Sequence, residues 1–92
     1  MQITIKYLAQ LKQAAGITHE TVDVESPCVP STVLQRLTER HDDRFRRLLF
    51  DQEGKLHPAI LVFVGENQTR PDTPYVFQEG DLVTILSPMA GG

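Results

Sequence analysis

Hydrophobic and polar positions alternate from the first residues. In "QITIKYL", Ile3, Ile5 and Tyr7 fall on one side and Thr4, Lys6 and Leu8 on the other, the two-residue period of a half-buried strand. "AQLKQAAG" then reads as a short helical turn stopped by Gly16, and "THETVDV" alternates again, so the two strands suggest an antiparallel pair. In "PCVPSTVLQRLTER" the spacing of Val33, Leu34 and Leu37 predicts a helix with one apolar stripe, entered through Ser31 as N-cap after Pro30. A second apolar set, Phe45, Leu48 and Leu49, follows "HDD", whose carboxylates suit the start of another helical turn, so the segment is not one unbroken helix.

"DQEGKLHP" is turn chemistry. The run "AILVFV" after it fits a strand buried on both faces, or one with an apolar outer face. "GENQTRPDTP" reads as a loop, "YVF" as a short edge strand, and "EGD" as a tight turn into a last strand, "LVTILS". The order strand, strand, helix, strand, short strand, strand implies an α+β domain: a mixed sheet with one main helix packed across it, for which a β-grasp arrangement is the natural candidate. No internal repeat interrupts the pattern, and residues 1–92 read as a single domain with a flexible C-terminal tail at 87–92.

Composition narrows the function classes. Ninety-two residues with 40% hydrophobic and 23% charged content suffice for one small core. The formal net charge is −3, which does not favour nucleic acid or an anionic membrane, and nothing approaches a membrane span or a signal peptide, so the chain reads as cytoplasmic. Cys28 is the single cysteine, with no disulfide partner and no second thiolate for a metal site. His19, His41 and His57 lack ligand spacing and read as surface residues, and neither metal nor bound cofactor is expected. Arg36, Arg40, Arg44, Arg46 and Arg47 are interleaved with Glu39, Asp42 and Asp43, which describes a solvated, partly self-paired helix surface and leaves open a docking surface for an acidic protein. No nucleophile elbow, P-loop or dinucleotide fingerprint is present, so no enzyme acting on its own is expected.

The remaining feature is the ending, "ILSPMAGG". Glycine lacks a Cβ, so a backbone of Gly91 and Gly92 can enter a channel too narrow for side chains. An α-carboxylate is ionised at neutral pH and is a poor electrophile until its oxygen becomes part of a leaving group, most simply by adenylation with ATP. "EGDLVTILSPMAGG" resembles the C-terminal signature of the ubiquitin-like sulfur carriers, which include the small subunit of molybdopterin synthase and the thiamine sulfur carrier. The resemblance rests on Gly80, Asp81, the strand Leu82 to Leu86, Pro88, Gly91 and Gly92, and "AQLKQAAG" resembles the segment after the first strand of molybdopterin synthase small subunits.

That resemblance implies a β-grasp fold and a terminal glycine, Gly92, that is adenylated and converted to a thiocarboxylate, with Gly91, Ala90 and Met89 inserted into a partner. It implies as partners an adenylating activating enzyme that uses ATP, a sulfur donor protein, and a larger acceptor or synthase subunit. "GKLHPAILVFVGENQ" departs from it, with Val64-Gly65 where many relatives carry Val-Asn, and "GKLH" is similar to carriers that feed cysteine synthesis. Molybdopterin synthase comes first among the pathways, then carriers for cysteine or thiamine thiazole synthesis. A protein modifier joined to lysines through Gly92 is the alternative of a different class, and a plain binding module the third. If the first and last strands are neighbours, Leu8 and Leu86 form an exposed apolar patch at the root of the tail, the expected partner-binding surface.

Overall fold

The computed structural model describes residues 1–87. The first strand, β1 (Gln2–Leu8), is followed by the short helix α1 (Gln10–Ala15) and by β2 (His19–Asp23). Gly16 ends α1 in the left-handed conformation, φ +76°, and its N–H donates to the Lys12 carbonyl at 3.0 Å. A residue without a Cβ takes that backbone at little cost, and the chain reverses there into β2.

Helix α2 (Pro30–Thr38) starts two residues earlier than the sequence suggests, because Pro30 occupies its first turn and Val29 is the N-cap. Proline's fixed φ and missing N–H suit that first position. Ser31 is therefore not the cap; its N–H donates to the Pro71 carbonyl at 3.0 Å. Helix α3 (Asp43–Leu49) is separate, as "HDD" implies, and Asp42 caps it by accepting a hydrogen bond from the Phe45 N–H at 3.1 Å.

Strand β3 (Leu61–Val64) is shorter than "AILVFV" and alternates: Val62 and Val64 are buried, Leu61 and Phe63 half-buried. It has one core face and one apolar outer face. A two-residue turn led by Gly65, φ +61°, folds it into β4 (Asn67–Thr69), with Val64 opposite Asn67. The segment read as a loop thus contains an edge strand, because glycine at the first turn position favours a hairpin. "YVF" is not a strand: Tyr75 bridges to Cys28 through two backbone hydrogen bonds of 2.9 and 3.1 Å, Val76 is exposed, and Phe77 turns into the core. The last strand is β5 (Leu82–Leu86).

The five strands form one mixed sheet in the order β2-β1-β5-β3-β4. β5 runs parallel to β1 and antiparallel to β3, so the last strand lies in the centre. One face carries Ile3, Ile5, Tyr7, Val22, Val62, Val64, Val83 and Ile85 against Leu11 of α1, Val33, Leu34 and Leu37 of α2, and Phe45 and Leu49 of α3. The period-2 and helical stripes named from the sequence meet in this one core.

Candidate functional site

The expected tail residues Pro88, Met89, Ala90, Gly91 and Gly92 lie outside the described residues. Its expected first residue, Ser87, is 2% exposed, and its hydroxyl has no hydrogen-bond partner among the described residues. The site that can be built is therefore the root from which this segment departs.

In the β1–β5 register Leu8 sits opposite Leu86, and on the other side Leu86 sits opposite Leu61. Direct cross-strand partners share a face of the sheet. Leu8, Leu86 and Leu61 therefore form a row across three strands at one end of the sheet, on the face away from the helices. One row below, Lys6, Thr84 and Phe63 are partners in the same way, and Leu82 lies beyond them opposite Thr4. Leu8 and Leu86 come together as the alternation suggests, but both are half-buried rather than exposed; Leu82 is the large apolar residue of this face that is open to solvent, at 38%. The sequence reading missed Leu61 and Phe63, whose signal was the unbroken apolar run "AILVFV".

Ala9 closes this end. It joins β1 to α1 with φ +57° and ψ −130°, a backbone conformation that side-chain-bearing residues rarely adopt. Such strain persists only where the surroundings enforce it, and here it reverses the chain directly after Leu8.

The remaining chemistry-bearing residues are otherwise engaged. Glu20 on β2 accepts from the buried Tyr7 hydroxyl, pairs with Arg40 at 3.3 Å, and lies 2.6 Å from His41 Nε2. His41 is only 11% exposed and stacks near Phe45, with ring centroids 4.4 Å apart, so it is not the surface histidine its spacing suggests. Burial first, and then the hydrogen bond to Glu20, raise the Tyr7 phenol well above its ordinary value. Burial likewise raises the Cys28 thiol, with Arg36 opposing, which disfavours the nucleophilic thiolate. Among the described residues no group of three His, Cys, Asp or Glu side chains is placed to hold a metal. A groove of about 730 Å³ between α2, α3 and the loop at 50–57 is bordered by Arg46, Arg47, Phe50 and His57, on the helical side of the molecule.

The strand order, with the last strand central and parallel to the first under a crossing helix, decides the fold. The chain is a ubiquitin-like β-grasp protein. No family model and no curated protein matches it by sequence. Among solved structures, SAMP1 from Haloferax volcanii is 23% identical over 100% of both chains, with a TM-score of 0.86. Urm1 from Trypanosoma brucei is 28% identical over 99% of this chain and 95% of its own, at 0.73. A putative molybdopterin converting factor subunit 1 from Pyrococcus furiosus is 19% identical over 97% and 99%, at 0.72. What this chain shares with these neighbours is the ubiquitin-like fold. No helix of the described β-grasp domain is long and apolar enough to cross a membrane.

Proposed function

We propose that this chain is a sulfur carrier of the cytoplasm, not an enzyme on its own but the sulfur-donating subunit or protein co-substrate of a sulfurtransferase complex. The Gly92 carboxylate attacks the α-phosphorus of ATP on a partner activating enzyme and releases pyrophosphate. A sulfide equivalent from a donor protein then displaces AMP, leaving a terminal thiocarboxylate. Met89, Ala90 and Gly91 enter the partner, and the row at Leu8 and Leu86 docks against it.

The observation that carries this reading is the position of β5. Gly91 and Gly92 follow the central strand of a ubiquitin-like sheet, and that strand ends in the apolar row Leu8, Leu86 and Leu61. Residues 88–92 span at most about 17 Å when fully extended, so a partner must sit directly on this end of the sheet to act on Gly92. Molybdopterin synthase is the pathway we favour, supported by the likeness to the converting-factor subunit. Carriers for cysteine or thiazole synthesis use the same chemistry.

Intact-mass measurement after incubation with a cognate activating enzyme, ATP and a sulfur source tests the proposal. A single oxygen-to-sulfur exchange at the C-terminus is expected, and an unchanged mass in the presence of ATP turnover overturns it. The likeness to SAMP1, whose name in a second structure reads small archaeal modifier protein 1, favours a protein modifier as the second reading. Lysines of other proteins bearing a branched peptide that ends in Gly91-Gly92 distinguish it.

A further inference from the structure

Strand β2 forms one edge of the sheet, and its backbone groups divide between two directions. Val24 N–H donates to the Met1 carbonyl and Tyr7 N–H to the Thr18 carbonyl, each at 2.9 Å. Even-numbered residues of this segment thus face β1, and alternation turns the backbone of His19, Thr21 and Asp23 outward. Outward-facing carbonyls and N–H groups of an edge strand are a template for another strand.

Here the template is covered. Arg36 Nη1 donates to the Asp23 carbonyl at 3.2 Å, and Arg40 Nη1 donates to the Thr21 carbonyl at 3.1 Å. The match is geometric. Arg36 lies in the last turn of α2 and Arg40 two residues past its end, about 6 Å further on at the helical rise. Thr21 and Asp23 are two residues apart on a strand, about 6.8 Å. The order is reversed, Arg36 with Asp23 and Arg40 with Thr21, so the helix runs antiparallel to the edge it covers. Arg40 is anchored further by its ion pair with Glu20, whereas Arg36 has no ion pair among the described residues. Two of the five arginines whose role the sequence left open are thus spent on backbone.

The covered edge is also self-complementary. A two-fold axis through Thr21 sets Thr21 opposite Thr21, His19 opposite Asp23, and Glu20 opposite Val22. Thr21, with its backbone outward, is then a hydrogen-bonded pair, and no two carboxylates face each other directly.

We propose that Arg36 and Arg40 close the β2 edge against strand addition, and that the surface beneath them is a pairing edge whose occupant, once uncovered, is β2 of a second copy of this chain. The arginine side chains satisfy the Thr21 and Asp23 carbonyls of the edge, and their charge stands where an incoming strand has to lie. The inference does not depend on the sulfur-carrier reading.

The test is the oligomeric state of an Arg36→Ser/Arg40→Ser double variant, followed by sedimentation and by amide exchange. Wild type is expected to stay monomeric. The double variant is expected to dimerise at least tenfold more tightly, with the Thr21 and Asp23 amides protected only in the dimer. Adding Thr21→Lys, which places two lysines on the axis without touching the β1 ladder, is expected to restore the monomer. A folded double variant that stays monomeric overturns the proposal, and so does a dimer indifferent to Thr21→Lys. If the double variant fails to fold, Arg36→Ser alone, which leaves the Arg40–Glu20 pair intact, is read by the same criteria.

Discussion

Tyr7 is fully buried with its hydroxyl on Glu20, and this contact sets how the fold responds to alkali. Burial and the neighbouring carboxylate raise the folded-state pKa of the phenol above its ordinary value of 10.0. The folded state therefore holds a proton that the unfolded chain gives up above about pH 10. That contribution is complete below pH 10 and is lost as pH rises beyond it. Tyr7→Phe removes the hydrogen bond to a charged acceptor and is expected to cost about 1.5 kcal/mol at neutral pH. The gap between wild type and variant should narrow above pH 10, as denaturant titrations across pH will show. Ala9 makes the opposite kind of prediction. With φ at +57° it holds a conformation suited to glycine, so Ala9→Gly is expected to raise stability by about 1 kcal/mol, or roughly 4–8 °C in melting temperature.

At the scale of elements, the alternation of β5 separates two roles in adjacent residues. Ile85 is fully buried beneath the helices, while Leu86 lies on the outer face between Leu8 and Leu61. Ile85→Glu is expected to abolish folding, since an unpaired charge cannot be held in the core. Leu86→Glu is expected to leave a folded protein with some loss of stability. If the row is the docking surface, it weakens partner binding by on the order of 2 kcal/mol, read by calorimetric titration beside a melting curve. For α3 the deciding residue is its cap: Asp42→Ala removes the acceptor for the Phe45 N–H and is expected to cost about 1 kcal/mol, visible as a lower denaturation midpoint.

At the scale of the whole molecule, the core of the described residues runs from Ile3 to Ile85 and ends seven positions before Gly92. Deleting Gly92 is therefore expected to leave the melting temperature unchanged while abolishing sulfur acceptance, with both measured on one preparation. Gly91→Val is expected to block ATP–pyrophosphate exchange by an activating enzyme without loss of stability, because a branched side chain crowds a channel shaped for bare backbone. Wild-type exchange by that variant would place the tail in an open cleft.

The periodic elements are legible in local spacing. Strand β1, the stripe Val33, Leu34 and Leu37, the break before α3 at "HDD", and the last strand "LVTILS" all follow from it. Each element's own period encodes its buried face. The carrier reading also came from local residues, "EGDLVTILSPMAGG", whose last five lie outside what the structure describes. Tertiary structure alone decided what long-range pairing decides. It set β5 between β1 and β3, added Leu61 to the apolar row and Phe63 to the row below it, and drew His41 against Glu20. It also turned Arg36 and Arg40 onto the carbonyls of β2. In each case the partners lie on separate elements, 13 positions apart between Arg36 and Asp23 and 21 between His41 and Glu20, and the side-chain pattern of one element carries no record of which backbone the fold will bring beside it.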